Sequence, residues 1–257
     1  MSYLCEMKRY GKIEDEKEKI EIILLRGLGC TWGKCTFCDY CKDFTSDINS
    51  NYKLNKKVID CISGEFKKLQ VICSGSFAEL DLFTINYLKK KCEKLNIKTI
   101  IFEGHYQHRN LIPLFRDIFS KSNLEFIVGV ETFDIDYREK VMKKGMGKVH
   151  PEEISKYFNR INLMFGIKGQ TIEQLKIDLD LACKYFDKIS LNIFTPNSTE
   201  AQRDDKVVEE FYNSPLFKKV IDNNKIRLLD DLNRDKTDSF DLVGEALSNI
   251  DNIKCVN

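Results

Sequence analysis

The chain has 257 residues, 42% of them hydrophobic and 11% aromatic, with 41 basic against 40 acidic side chains. That much apolar material supplies one large core and excludes a disordered or fibrous chain. A net charge of +1 makes no demand for a polyanion, and no apolar stretch approaches the ~20 residues of a bilayer span, so neither nucleic acid nor a membrane is expected as a partner.

Residues Met1 to Lys19 are charged and mostly polar, without the apolar stretch and small-residue cleavage site of a secretory signal, so a cytoplasmic location is expected. Lys19 to Arg26 reads as a buried strand, ended by Gly27 and Gly29. A helix pattern covers Tyr52 to Leu69, and Gln70 to Cys73 is a short apolar strand stopped by Ser74-Gly75-Ser76. Leu80, Phe83, Tyr87, Leu88, Cys92 and Leu95 share one helical face, and a strand from Ile97 to Phe102 ends at Glu103-Gly104. A helix over Asn110 to Ser120, a strand over Leu124 to Glu131 and a short helix around Asp136 to Lys144 follow. Arg160 to Phe165 is the next strand, Ile172 to Phe186 the next helix, and Lys188 to Phe194 the sixth strand. Beyond Pro196 come a polar helix over Asp204 to Tyr212, a strand over Lys225 to Leu229 and a last helix near Phe240 to Leu247.

Alternating strands and helices imply an α/β chain with a parallel sheet and right-handed crossovers. Periodicity alone does not separate a barrel from a doubly wound sheet. One domain is expected, with a core over about 19–196 and a C-terminal extension over about 197–257.

Ten cysteines in a reducing compartment argue for thiol chemistry rather than a disulfide framework. Cys5, Cys61, Cys73, Cys92, Cys183 and Cys255 are scattered and read as core or inert thiols. Cys30, Cys35, Cys38 and Cys41 fall in one short loop after the first strand, at spacings that wrap an inorganic centre. A structural zinc site wants a second ligand pair, and the next cysteines, Cys61 and Cys73, are unpaired in sequence. A ferredoxin run over Cys35, Cys38 and Cys41 fails at Thr45, where its fourth thiolate belongs.

With an aromatic residue, Phe37, just before Cys38, this loop resembles that of the radical S-adenosylmethionine (SAM) enzymes, which hold three cysteines after the first barrel strand. The resemblance implies a partial (β/α)6 TIM-type barrel, a [4Fe-4S] cluster held by Cys30, Cys35 and Cys38, and SAM on the open iron. It departs from the common motif in having four residues between Cys30 and Cys35, and Cys41, preceded by Tyr40, competes as a ligand. The same resemblance sets Ser74-Gly75-Ser76 against the methionine part of SAM and Glu131 at the ribose hydroxyls. It matches the stretch from Glu131 through Arg138 to Gly145 to the fourth-strand region, and the turns at Phe165 and Asn192 to the adenine side. It also implies an external one-electron donor such as flavodoxin or ferredoxin, and a deoxyadenosyl radical that abstracts hydrogen from a closed-in substrate. Ser-Gly-Ser turns, single strand-end glutamates and Gly-rich turns are each common in other folds as well.

Polar groups at strand ends are the remaining candidates: Asp39, Tyr40, Glu79, Glu103, His105, Tyr106, His108 and the pair Asp230-Asp231. Among them Tyr40, Glu103 and His105 are the catalytic candidates, although histidines after a strand commonly sit in surface loops. Asp230 and Asp231 suit the edge of a guanine-type base, but paired aspartates also start helices and turns. The chain carries no second cysteine-rich segment, cobalamin domain or evident RNA-binding module, which favours a small-molecule substrate. Its size, the lengthened Cys30–Cys35 interval and the run from Cys35 to Cys41 are similar to the queuine lyases within the superfamily, implying a 7-deazaguanine substrate and queuosine salvage. A radical enzyme for another small molecule or a peptide, or a non-catalytic iron–sulfur or zinc binding module, are the alternatives.

Overall fold

The computed structural model describes residues 9–233, so the helix expected over Phe240 to Leu247 lies outside the described residues. These residues form two compact units, one of residues 9–33 and 40–125 and the other of residues 34–39 and 126–233.

In the first unit the strand expected near Lys19 is β2 (Lys19–Leu25), buried along nearly its whole length as a parallel-sheet strand should be. An unpredicted strand, β1 (Tyr10–Glu14), runs antiparallel to it. Asp15 makes that hairpin by accepting from the backbone N–H groups of Lys17 and Glu18, both at 2.8 Å. β3 (Lys68–Cys73) and β4 (Thr99–Gly104) continue the sheet in parallel. Helix α1 (Ile48–Asp60) starts at Asp47, whose side chain caps it, and ends well short of the expected Leu69. Left-handed Gly64 (φ +74°) and Lys67 (φ +52°) turn the chain there into β3. Helix α2 (Leu82–Leu95) is capped by Asp81 and closed by Asn96 in the left-handed region. It buries Thr84, Ile85, Leu88 and Cys92, leaving Phe83, expected on the inner face, 62% exposed. The helix expected from Asn110 opens as a 3-10 turn over Tyr106–Leu111 and becomes α3 (Ile112–Ile118). Phe77, Phe102, Phe115 and Phe119 stack edge and face to close this core, with Phe77 and Phe115 centroids 4.7 Å apart.

The second unit holds most of β5 (Asn123–Glu131), then β6 (Arg160–Phe165), β7 (Lys188–Ile193) and β8 (Ile226–Leu229), successive neighbours and all parallel. Helices α5 (Ile172–Tyr185) and α6 (Asp205–Asn213) are capped by Thr171 and Asp204. Two short helices, α4 (Pro151–Ser155) and α7 (Pro215–Ile221), escape sequence periodicity because each begins on a proline and completes only one or two turns. The helix expected around Asp136 is a single π turn over Tyr137–Val141. All six strands counted in sequence form, as β2 to β7, and the chain is an α/β protein of the partial (β/α)6 TIM-type class. Among the described residues no helix is long and apolar enough to cross a membrane.

Two buried asparagines one helical turn apart on α1 fasten the end of β2. Asn55 accepts from the Arg26 N–H at 2.8 Å and donates to its carbonyl at 2.9 Å, while Asn51 donates to the Gly27 carbonyl at 3.2 Å and accepts from Arg26 Nε at 2.7 Å. An Asn55→Leu variant strands both backbone groups of Arg26 and is expected to lose about 2–4 kcal/mol in chemical denaturation. A loss below about 0.5 kcal/mol would mean that water replaces the clamp.

Candidate cluster and cofactor site

In the first unit the loop leaving β2 is pinned from below. The Gly27 N–H donates to Ser74 Oγ and the Leu28 N–H to the Glu79 carbonyl, both at 2.9 Å. Gly29 and Gly33 take positive φ (+123° and +57°), and between them Cys30 Sγ accepts from the Gly33 N–H at 3.3 Å. Ser74 and Ser76 are buried, and Gly75 between them has its bare backbone against the loop. A Cβ there would stand 3.2 Å from Cys30 Cα and 2.0 Å from Glu79 Oε2. The small turn read from sequence thus lies against the first cysteine, in a cradle that any side chain would fill.

Glu79, buried below this turn, accepts from the Thr31 N–H and hydroxyl at 2.6 Å each, with His108 Nε2 at 3.4 Å. Burial pushes its carboxyl up, but the bonds from His108 and Thr31 outweigh that and hold it below the usual carboxylate range. His105 is buried rather than on a surface loop: its ring stacks on Trp32 at 6.1 Å, and its Nδ1 accepts from the Gln107 N–H. Glu103 is half-buried on β4, and Tyr40 begins a 3-10 turn that also contains Cys41. Burial pushes the thiols of Cys73 and Cys92 up to about 12, which keeps them protonated and fits their reading as core residues.

In the second unit Cys35 and Cys38 flank buried Phe37 and pack against a core of Phe37, Met142, Ile167 and Phe194. Thr36 ties them to the end of the π turn, its N–H donating to the Met142 carbonyl at 3.1 Å and its hydroxyl to the Val141 carbonyl at 2.9 Å. Asn197 donates to the Phe37 carbonyl at 2.8 Å, and Ser198 donates to Asp39 Oδ2 at 3.0 Å. Glu131 closes β5 with its carboxylate 2.6 Å from Lys144 Nζ, which lies 5.5 Å over the Phe37 ring. Sequence reasoning included Lys144 in the stretch from Glu131 to Gly145 but gave it no role of its own. Only the pairing of a left-handed strand end with a buried ammonium singles it out.

The other expected cofactor residues also make contacts within the fold. Arg138 is fully buried and donates to the Thr132 and Gly147 carbonyls at 3.3 and 2.7 Å and to Glu139 at 3.0 Å. Phe165 is buried against Phe211, ring to ring at 5.7 Å. Asn192 is half-buried and donates to the Leu163 carbonyl at 3.2 Å. Asp230 has no exposed surface and takes Tyr212 at 2.7 Å, Asn233 at 2.8 Å and Arg203 at 3.3 Å, so its carboxylate is occupied by the chain itself. Asp231 beside it is half-buried.

Among the described residues no three His, Cys, Asp or Glu side chains stand at metal-binding distances. The donor chemistry fits an iron–sulfur cluster nonetheless. Three half-buried thiols lie on one short loop, the first accepting a backbone N–H and the other two flanking a ring under a buried ammonium.

No protein-family model and no curated protein matches the chain. Among solved structures it is similar to queuine lyase from Clostridium spiroforme bound to SAM and queuine, with 37% identity and a TM-score of 0.82 over 87% of this chain and 95% of that one. Methylornithine synthase, at 17% identity and a TM-score of 0.55 over 81% of this chain and 64% of that one, shares the fold alone.

Arg138→Met is expected to lower unfolding stability by about 2–4 kcal/mol, since it strands the buried Thr132 carbonyl and removes the bonds to the Gly147 carbonyl and Glu139. Full stability with weakened SAM binding would return Arg138 to the cofactor. Burial raises the carboxyl of Asp178, which accepts from the Phe133 N–H and Gln174, to about 6. The folded state then holds this proton more tightly than the unfolded chain, so stability present below about pH 4 is lost as the pH rises to about 6. Asp178→Asn is therefore expected to gain on wild type by about 2–3 kcal/mol between those pH values, measured by denaturation. A difference flat in pH would mean that Asp178 is ionised throughout.

Proposed function

The chain belongs to the radical SAM superfamily, in the family of the Clostridium spiroforme queuine lyase, and on that footing we propose that it cleaves queuine to release 7-aminomethyl-7-deazaguanine. The observation that supports this reading is the match along 95% of that enzyme, a structure bound to SAM and queuine, at 37% identity. The protein is a radical enzyme using a [4Fe-4S] cluster and SAM. When bound, these supply the electron that cleaves the sulfonium and the 5′-deoxyadenosyl radical that takes a substrate hydrogen.

The residues divide the remaining work. Cys30, Cys35 and Cys38 supply the thiolates, and Phe37 seats the second pair on its core. Gly75 lets the methionine portion of SAM approach the backbone. Ser74 and Ser76, which use their oxygens as acceptors for the Gly27 and His105 N–H groups, keep their hydroxyl hydrogens to donate. Glu131 holds Lys144 with one carboxylate oxygen and would offer the other to the ribose hydroxyls. For the deazaguanine edge and the secondary amine of queuine, Glu103, Asp230 and Asp231 are the acidic candidates, of which Asp230 already accepts from Tyr212 and Arg203. The substrate is the free base, the electron comes from a flavodoxin or ferredoxin, and the chemistry belongs in the reducing cytoplasm, where thiols outside the cluster stay reduced.

Anaerobic reconstitution followed by iron and sulfide quantitation, and chromatography after adding SAM, dithionite and queuine, tests this directly. About four irons per chain are expected, with deoxyadenosine and 7-aminomethyl-7-deazaguanine both formed. Serine at Cys30, Cys35 or Cys38 is expected to abolish both products, whereas Cys41→Ser retains them. Deoxyadenosine made while queuine stays intact would move the reading to another small molecule or a peptide.

A further inference from the structure

Glu131 occupies a conformation that a glutamate adopts at a cost. Its φ is +69°, and the register of β5 against β6 slips between Gly129 and Glu131, the mark of a bulge. The distortion delivers its carboxylate to Lys144 at 2.6 Å, with Glu131 5% and Lys144 9% exposed. Gly129 is part of the same arrangement: a Cβ there would stand 2.5 Å from Glu131 Oε1 and 2.9 Å from Lys144 Nζ. Lys143, also left-handed at φ +51°, turns the next residue inward. A buried ion pair seldom adds net stability over apolar packing, so a bulge, a strained residue and an obligatory glycine built around one pair point to use rather than stability.

The use is indicated by what the ammonium faces. Its Nζ lies 5.5 Å over the ring of Phe37, the residue directly before Cys38, and the Val141 and Met142 carbonyls, three and two residues before Lys144, bind Thr36, next to Cys35. We propose that Lys144, held by Glu131, is a positioning residue of the cluster site whose charge offsets that of the Cys35 and Cys38 thiolates and raises the cluster's reduction potential. The proposal rests on the reading above that these two cysteines ligate the cluster. Burial alone would drive Lys144 toward its neutral form, but Glu131, Cys35 and Cys38 outweigh burial and hold its pKa above the ordinary lysine value. A fixed cation beside a cluster favours the electron-rich state, and the low dielectric of a buried site strengthens the effect.

The test is a redox titration of the reconstituted enzyme without SAM, followed by the electron paramagnetic resonance of the reduced cluster, with iron content measured on every sample. Lys144→Met is expected to lower the reduced-to-oxidised ratio at a fixed poise at least about tenfold, a shift of ~59 mV for a one-electron couple. Glu131→Gln is expected to shift it the opposite way, and Lys144→Arg to restore it. A merely structural pair would move both neutralising variants in the same direction or not at all, and that result at full iron content overturns the proposal. If Lys144→Met fails to fold, the sign of the Glu131→Gln shift decides alone. Wild-type protein that takes up no iron overturns the cluster reading itself, a failure separate from an unshifted potential.

Discussion

Residues 26–39 leave β2 with no sheet ladder to satisfy them, and the polar backbone they bury must be answered from other elements. In the first unit the answers come from Asn55 and Asn51 for Arg26 and Gly27, from Ser74 for the Gly27 N–H, and from Glu79 for Leu28 and Thr31. In the second they come from the carbonyls of Val141 and Met142 for Thr36 and from Asn197 for Phe37. Each cysteine of this loop is only as well placed as the backbone carrying it.

The glycines follow from the same requirement. Gly75 and Gly129 lie where another group must come close, Cys30 and Glu79 at the first and the Glu131–Lys144 pair at the second. Neither needs a positive φ; what each supplies is room. Gly29 and Gly33 supply conformation instead, turning the chain on either side of Cys30.

Much of the fold was legible. Apolar runs, several of them closed by glycine or Ser-Gly-Ser, located all six strands β2 to β7, since a buried parallel strand is nearly continuous in hydrophobicity. The misses have physical causes. β1 is short and partly exposed, α4 and α7 complete only one or two turns from a proline, and α1 stops where left-handed Gly64 and Lys67 outrank its helical pattern. Of the site, the cysteine loop and the Ser74 turn were legible because their chemistry is local. Arg138, Phe165 and Asp230 looked equally suitable in sequence, yet each is taken up by packing or by the chain's own donors.

The sequence by itself determined the element order, the thiol-rich loop and its placement after the first buried strand, because these depend on neighbours along the chain. The tertiary structure alone decided which polar side chains remain for chemistry. Asn51 meets Gly27 across 24 positions, Glu79 meets Thr31 across 48 and Asn197 meets Phe37 across 160. A carboxylate, amide or ammonium is defined by the partner that burial brings to it, and that partner is set by how strands and helices pack, which no local pattern encodes.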